Sequence, residues 1–293
     1  MTTARPGADA VHIRRAKTED ADASGRICYE AFSGISRQHN FPPDFPTPDV
    51  AVGLLTMMFS HPDFYCVVAE AAGRIVGSNC LDERSTIAGL GPITVDQAMQ
   101  NSSVGRALMH DLLDRARTRR FPGVRLVQAA FHNRSLSLYT KLGFDAREPL
   151  SLMQGPPLER NIEGCSVRRA VAEDVDACNR VCEAVHGHTR DGEVRDAIRQ
   201  GTARVVERHG RITGYTSALA FFGHSVADSD MDLQALISSG GGFGGPGILV
   251  PTRAASLLRW CLSSGLRVVQ PMTLMTIGLY NEPSGAYLPS ILY

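Results

Sequence analysis

The chain has 293 residues, of which 43% are hydrophobic and 20% are charged, as in ordinary globular proteins. Its 30 basic and 30 acidic residues cancel, which argues against nucleic acid or an anionic membrane as the main partner. The length predicts two domains. Seven irregularly spaced cysteines predict reduced thiols in a cytoplasmic protein rather than a disulfide framework. No apolar run is long enough to predict a membrane span.

The first ninety residues alternate between strand and helix patterns. Residues 1–10 are small and polar and are expected to form a flexible tail. The alternation in 11–16 predicts a strand, and Thr18 with the acids after it predicts a helix that runs to about Phe32. Four prolines exclude regular helix from 38–48. The next predicted elements are a helix over 49–59, a hairpin over 64–70 and 74–81, and an irregular strand over 87–95.

The stretch from Gly91 to Phe144 has the order strand, loop, helix, strand, helix. Its loop, 100–105, is rich in small polar residues and opens directly into an amphipathic helix. Such a turn leaves several backbone N–H groups unpaired at the positive end of a helix dipole, which suits a pyrophosphate. The apolar run 124–131 predicts the next strand, and 133–143 predicts a helix closed by glycine.

Two motifs in this stretch resemble the acetyl-CoA-binding core of the GNAT superfamily of N-acetyltransferases. In that family the loop reads Gln/Arg-x-x-Gly-x-Gly/Ala, and the later helix carries Leu-Tyr-x-x-x-Gly-Phe. The chain matches the two motifs at Gln100, Gly105, Leu138, Tyr139, Gly143 and Phe144. It departs at Ser103, where the family has its first glycine, and at Ser102, where a basic residue is common. We therefore expect a left-handed or tight conformation at Ser103 and weaker CoA binding than is usual.

The resemblance implies that acetyl-CoA is a co-substrate and that no metal ion takes part. Amides of the irregular strand would hold the pantetheine arm and the thioester carbonyl, and the loop would hold the pyrophosphate. The residues that the resemblance implies in CoA binding are Ile93, Thr94, Val95, Gln100, Asn101, Ser102, Ser103, Val104, Gly105, Arg106, Asn133 and Ser135. For Asn133 and Ser135, capping of the helix is the alternative.

Acyl transfer from a thioester to an amine needs a neutral amine, a stabilised oxyanion and a proton for the leaving thiolate. Tyr139 is the candidate acid, because the family places this tyrosine beside the CoA sulfur; a core aromatic is the alternative. Glu83, after a central strand, is the candidate base, with Asp82 and Asp96 as rivals. Ordered water could also take the proton, as it does in many enzymes that this chain resembles.

The segment between the first two helices lies over the acceptor in the GNAT family. By that resemblance His39, Phe41 and Phe45 would line an acceptor pocket. A proline-stiffened surface loop with its aromatic side chains tucked inward is the alternative.

The sequence pattern of the first half starts again after a linker. Three segments are echoed in order: 13–23 by 167–177, 73–77 by 210–214, and 123–128 by 265–270. We therefore predict a GNAT-like domain at 11–152, a linker at 153–164 and a second GNAT-like domain at 165–293. Each would be an α/β (α+β) unit with a mixed, mostly antiparallel sheet flanked by helices.

The second copy is expected to be degenerate, because it lacks the loop motif. Where the first copy has 100–105, the second has the glycine-rich run 238–247, which lacks a phosphate-loop Lys-Ser/Thr pair. Thr252 is a candidate cap for a following helix that carries Leu257, Leu258 and Trp260. The apolar segment 280–293 predicts a C-terminus docked on the protein.

Three functions fit these patterns. The first is an N-acetyltransferase that moves an acetyl group from acetyl-CoA to an amine by direct attack in the first domain, with the second domain completing the acceptor site. The alternative is a non-catalytic acyl-CoA-binding or regulatory protein. In the third, both sites are inactive and the duplication serves assembly. The acceptor, whether a small molecule or a peptide amine, and the oligomeric state stay open.

Overall fold

The computed structural model describes residues 11–100 and 102–292. The predicted tail, 1–10, therefore lies outside the described residues. The strands of the first half are β1 (His12–Arg15), β2 (Phe64–Ala71), β3 (Arg74–Asp82), β4 (Ala88–Leu90), β5 (Thr94–Val95), β6 (Gly123–Ala129) and β7 (Asp145–Gln154). Its helices are α1 (Ala21–Gln38), α2 (Pro48–Ser60), α3 (Val104–Thr118) and α4 (Asn133–Lys141). The element order that the sequence predicts for 11–144 is confirmed.

The second half repeats much of this order with shorter elements. Its strands are β8 (Ser166–Arg169), β9 (Arg204–Arg208), β10 (Arg211–Thr216), β11 (Ser225–Ala227), β12 (Ile248–Pro251), β13 (Arg267–Gly278) and β14 (Ala286–Leu288). Its helices are α5 (Val175–His186), α6 (Asp191–Arg199), α7 (Asp230–Ser238) and α8 (Ala255–Ser263). All strand pairs in the described part of the chain are antiparallel except β4 with β6. The predicted fold class is therefore confirmed.

The first pair of repeated segments, 13–23 and 167–177, is similar in structure as well as in sequence. Arg14 binds Asp20, with the shortest N–O distance at 2.7 Å, and Asp20 accepts the Lys17 amide at 2.8 Å. In the second half Arg168 binds Asp174, and Asp174 accepts a backbone amide at 2.8 Å in the same way. Both pairs lower the pKa of the aspartate, mainly through the arginine hydrogen bond. The two copies thus join their first strand and first helix with the same ion pair.

The two halves share strands in one sheet. Among the described residues, nine strands form a sheet in the order β1-β2-β3-β4-β6-β13-β7-β12, with β5 paired to β3. Strand β13 of the second half lies between β6 and β7, with Leu274 opposite Val127 and Met272 opposite Leu150. The second sheet has the order β14-β11-β10-β9-β8. The first sheet therefore depends on both halves, and the division at 153–164 stays a prediction.

Three expectations about the second half are wrong. The run 238–247 follows α7 and leads into β12, so it is not the counterpart of the loop at 100–105. That counterpart is the short turn between β11 and α7, where Ser229 accepts the Asp232 amide and caps the helix. Thr252 does not cap α8, since its hydroxyl lies 3.0 Å from the Ser151 hydroxyl. The repeat of 123–128 in 265–270 also fails, because the element order makes β12 the counterpart of β6. Short repeated segments do not reveal where insertions and deletions lie.

The expectation that all seven cysteines are reduced is also wrong. Cys66 and Cys80 form a disulfide across β2 and β3, where they are directly opposite in the register. Their residue numbers differ by 14, so only the pairing of the two strands shows that they are adjacent. The other five cysteines are free thiols, and four of them are buried. No helix in the described ranges is long and apolar enough to cross a membrane.

Candidate active site

The central feature of the first half is a split in its sheet. Strands β4 and β6 are parallel neighbours only at Ala88 with Val124 and Gly89 with Arg125. Beyond Gly89 the chain turns through Gly91, whose φ is 137°, and continues as β5, which pairs with β3 alone. The predicted irregularity at Gly91-Pro92 is thus confirmed. It opens a gap between β5 and β6.

The free edge of β5 faces this gap. On its paired edge, the Asp96 amide donates to the Val76 carbonyl at 2.9 Å. Successive amides of a strand point to opposite edges, so the N–H groups of Val95 and Ile93 point away from β3. Thr94 is buried, and its hydroxyl lies 3.3 Å from that of Ser78, which anchors β5 to β3. Two backbone donors therefore face the gap in a fixed direction.

The loop after β5 ends in a left-handed residue at the start of α3. Ser103 has φ 68° and ψ 0°, as its position at the family's glycine predicts. The first hydrogen bond of α3 runs from the Ala107 amide to the Ser103 carbonyl at 3.0 Å. The amides of Val104, Gly105 and Arg106 precede this ladder, so they lie at the positive end of the helix dipole.

Replacement of Ser103 by glycine should stabilise the protein. A left-handed backbone costs a serine roughly 1 kcal/mol and costs glycine almost nothing. Because the strain is already present before a ligand binds, the glycine should mainly raise the free energy of unfolding. The acetyl-CoA affinity should change by less than about threefold. Urea unfolding measures the free energy of unfolding, and calorimetry measures the affinity. Ser102→Gly is the matched control, since Ser102 has no positive φ; equal stability of the two variants would contradict the prediction.

The helix start and the sheet gap open into one cavity of about 550 Å³. Most of the residues predicted for CoA binding line it: Ile93, Thr94, Val95, Gln100, Ser103, Val104, Gly105, Arg106 and Ser135. Three cationic side chains line it as well, namely Arg106, Arg134 and Lys141. Arg134 donates to the Gln100 side chain at 2.9 Å, which joins α4 to the loop. The basic residue missing at position 102 is therefore replaced by cations from α3 and α4.

Three predicted residues are placed away from this cavity. Ser102 is exposed, and its hydroxyl donates to the Met99 carbonyl. Asn133 begins α4 and does not line this cavity. Asn101 lies outside the described residues. Glu83 accepts two hydrogen bonds from Arg115, at 2.7 and 2.9 Å, and does not line this cavity, so its geometry does not suit the predicted base.

Tyr139 lies on α4 at the inner end of this cavity. It is 6% exposed, and its ring packs edge-on against Phe144. Burial raises the pKa of Tyr139 to about 12, partly offset by a hydrogen bond with Ser135. The Ser135 hydroxyl lies 2.7 Å from Nδ1 of His132, so a hydrogen-bonded row runs from Tyr139 to His132. Burial and the nearby Arg134 lower the pKa of His132, which leaves its ring neutral at pH 7.

A second, apolar cavity of about 140 Å³ is also lined by Tyr139. Phe45, predicted for the acceptor pocket, lines it. His39 and Phe41 do not line it; they pack against Phe131, which does, with ring centroids 5.2 and 4.3 Å away. The second half contributes Phe221, Phe222, Met272, Ile291 and Leu292 to its walls.

The C-terminal end of the described chain is docked beside this cavity, as the apolar pattern of 280–293 predicts. Leu292 is buried, and the Ile291 amide donates to the Phe221 carbonyl at 2.9 Å. A Cβ added at Gly89 would lie 1.8 Å from the Leu292 carbonyl oxygen. A glycine in β4 is therefore what lets the terminal segment reach the sheet gap.

Sequence reasoning missed three polar residues of this region. Asp44 and Gln128 line the apolar cavity, and His132 lines both cavities. Asp44 lies among prolines in a segment without periodicity. Gln128 lies in a predicted strand whose residues are mainly apolar. Only His132 could have been selected from the sequence. It is a polar residue that directly follows a predicted strand and directly precedes a predicted helix.

Comparison with known proteins agrees with this geometry. Residues 33–144 match the model of the Acetyltransferase (GNAT) family. A protein from Pyrococcus horikoshii assigned as an acetyltransferase has the same fold, with a TM-score of 0.73 at 18% identity over 98% of this chain and 97% of that one. A GCN5-related N-acetyltransferase from Sphaerobacter thermophilus gives 0.60 at 15% identity over 93% and 96%. No functionally curated protein matches the sequence.

The duplicated arrangement also has a solved counterpart. A tandem GNAT protein from the clavulanic acid biosynthesis pathway superposes with a TM-score of 0.54 at 13% identity. The match covers 92% of this chain and 98% of that protein. At such identities the likeness establishes the fold, which spans both halves of the chain.

Proposed function

We propose that the chain is a GNAT acetyltransferase of the tandem form, and that its N-terminal half transfers the acetyl group of acetyl-CoA to an amine by direct attack. The observation that carries the proposal is that two cavities of different character meet at one place. The wide cavity is lined by helix-start amides and cations, and the narrow one is apolar. The residues that line both are Ala31, Ile35, Ile93, Thr94, His132, Ser135 and Tyr139.

The wide cavity has the chemistry that a CoA diphosphate needs. The amides of Val104, Gly105 and Arg106 begin α3, and a diphosphate bound there would meet donors and the helix dipole together. Arg134 and Lys141 supply further positive charge from α4. The amides of Ile93 and Val95 face the same cavity and suit the pantetheine arm and the thioester carbonyl. Acetyl-CoA, when bound, supplies the activated acetyl thioester.

We assign Tyr139 the role of hydrogen-bond donor to the leaving sulfur. Its pKa of about 12 keeps the phenol protonated at neutral pH. Full transfer of that proton to a thiolate, whose conjugate acid has a pKa near 8.5, would run uphill by roughly 5 kcal/mol. Donation of a hydrogen bond has no such penalty and stabilises the charge that develops on sulfur. The thiol proton then comes from the acceptor nitrogen, and Tyr139 does not have to be reprotonated.

The second half supports the reaction by closing the acceptor side. Its side chains Phe221, Phe222 and Met272 exclude water from the narrow cavity, and electrostatic interactions are stronger where water is excluded. Its own counterpart of the CoA loop is the capped turn before α7, where the Ser229 side chain accepts a helix-start amide. We therefore propose one CoA site per chain. We assign Glu83 no role in proton transfer.

The proposal is tested by binding and turnover measured separately. Calorimetry with acetyl-CoA should give one site per chain, and thiol release with a panel of primary amines should show turnover. Binding without thiol release from any amine would favour a non-catalytic acyl-CoA-binding protein. No heat of binding would leave neither function standing.

A further inference from the structure

We propose that the acceptor is a compact amine: a primary ammonium received by Asp44, on an apolar body about the size of one six-membered ring, with one neutral hydrogen-bonding group that contacts Gln128. This inference rests on the proposed function and specifies its substrate class. It also makes Asp44 the group that takes the proton from the amine, in an uphill transfer that is drawn forward because acylation consumes the neutral amine.

The shape of the narrow cavity sets the size of the apolar body. Its volume is about 140 Å³, close to that of an engineered cavity of about 150 Å³ that binds benzene. Phe32, Phe45, Phe131, Phe221 and Phe222 are among its walls. Aromatic walls favour a flat or branched apolar group. A long polycation or a folded peptide chain does not match a cavity of this size and polarity.

Asp44 supplies the charge that an ammonium needs. It lies in the loop between α1 and α2, and its carboxylate accepts a hydrogen bond from the Gln270 side chain at 3.2 Å. Arginine and lysine are absent from the residues that line this cavity, so Asp44 faces it as an anion without a cationic partner in the wall. Burial raises the pKa of Asp44 to about 6, and Cys28, His132 and Tyr139 are the other titratable groups nearby. A carboxylate in such a place attracts a cation and accepts a proton more readily than one in water.

Gln128 supplies the neutral contact. It is 6% exposed, and neither its amide nitrogen nor its carbonyl oxygen has a hydrogen-bond partner in the described part of the chain. A buried polar group without a partner destabilises the folded protein, so a ligand that supplies one gains affinity. Both a donor and an acceptor are unsatisfied, which a hydroxyl or a carboxamide on the acceptor can complete together.

The proton and electron balance is complete without a further reagent. Asp44 takes one proton from the ammonium, and the neutral amine attacks the thioester carbonyl carbon. The C–N bond forms, the C–S bond breaks, and the thiolate leaves with a hydrogen bond from Tyr139. The second proton passes from the acetylated nitrogen to the thiolate, and Asp44 releases its proton to solvent. The sum is ammonium plus acetyl-CoA giving amide, CoA thiol and one proton.

A panel of amines tests the substrate class. We expect 2-phenylethylamine and tyramine to be acetylated with kcat/KM at least about tenfold above that of spermidine, kanamycin and an alanyl peptide. Tyramine adds one hydroxyl to 2-phenylethylamine, and one new hydrogen bond to Gln128 should favour it by about tenfold. Preference for spermidine, kanamycin or the peptide would overturn the inference and keep the proposed function. No thiol release with any amine would overturn the function itself.

Two variants test the assigned residues. Asp44→Asn should lower kcat/KM for tyramine by about 100-fold and leave the acetyl-CoA affinity within about twofold, which also shows that the variant is folded. Asp49→Asn, at an exposed carboxylate on α2, is the matched control and should leave both unchanged. Gln128→Leu should reduce the tenfold preference for tyramine to about twofold or less. Unchanged kcat/KM in Asp44→Asn, or an unchanged preference in Gln128→Leu, would refute the corresponding assignment.

Discussion

Tyr139→Phe should lower kcat by about 100-fold while acetyl-CoA binds as tightly as before. The phenol hydroxyl is the part of this residue that the proposed chemistry uses, and phenylalanine keeps the ring that packs against Phe144. The lost hydrogen bond acts only when charge develops on the sulfur, so the effect belongs in kcat rather than in the binding of either substrate. Thiol release at saturating acetyl-CoA measures it.

Tyr65→Phe is the matched control, because Tyr65 lies on β2 and lines neither cavity. It should leave kcat unchanged. Wild-type kcat in Tyr139→Phe would remove the proposed hydrogen-bond donor. A loss of acetyl-CoA affinity equal to the loss of kcat would instead make Tyr139 a binding residue.

Acidification from pH 7.0 to 5.5 should destabilise the protein by about 3 kcal/mol. Three histidines form a buried cluster where the halves meet: the ring centroid of His186 lies 5.6 Å from that of His188 and 5.2 Å from that of His224. Burial lowers the pKa of all three, to about 3 for His188, and the nearby Arg125 and Arg190 lower them further. Arg125, only 1% exposed, comes from β6 of the first half.

The sign follows from which state binds protons. A histidine in the unfolded chain has a pKa near 6.5. Between pH 6.5 and about 3, His188 is therefore protonated in the unfolded chain and neutral in the folded protein. The stabilising contribution of each neutral histidine is therefore complete well above pH 6.5 and decreases below it, by about 1 kcal/mol for each histidine at pH 5.5. The lowered pKa of His132 adds to this loss, whereas the raised pKa values of Asp44 and Asp111 act in the opposite direction. The other groups that face the cluster are Glu193, which pairs with Arg190, and Tyr287.

Urea unfolding at the two pH values measures the difference. Asp20, Asp174 and Asp232 have lowered pKa values, so they titrate below pH 4 and do not contribute in this range. His224→Asn should reduce the pH-dependent loss by about 1 kcal/mol, whereas His12→Asn, at an exposed position, should not change it. Equal free energies of unfolding at pH 7.0 and 5.5 would contradict the prediction.

Local patterns predicted the fold of the first half well. Hydrophobic periodicity placed α3, and the glycine and proline at 91–92 placed the break between β4 and β5. Both signals are local, since they depend on neighbours within a few residues. The position of β13 between β6 and β7 could not be predicted, because strand exchange depends on contacts between segments more than a hundred residues apart. The Cys66–Cys80 pair was missed for a related reason, as it depends on hairpin register.

The same distinction applies to the site. The loop and α4 carry their chemistry in contiguous motifs, so Ser103, Gly105 and Tyr139 could be selected from the sequence, and the structure places all three at the wide cavity. Their roles stay predictions. Asp44 and Gln128 belong to no motif and become neighbours of one cavity only through folding. Glu83 was predicted as the base from its place after a strand, and the fold pairs it with Arg115, a contact that its local sequence does not reveal.

The exchanged strand has a consequence for how the protein matures on the ribosome. During synthesis β6 and β7 emerge long before β13, and the place between them stays open until residues 267–278 follow. The walls at Ile291 and Leu292 arrive later still. A nascent chain therefore carries every residue of the proposed CoA loop while the proposed acceptor side is unfinished. The proposed acetylation should begin only after translation passes residues 291–292, and stop codons shortly before them should be as inactivating as early ones.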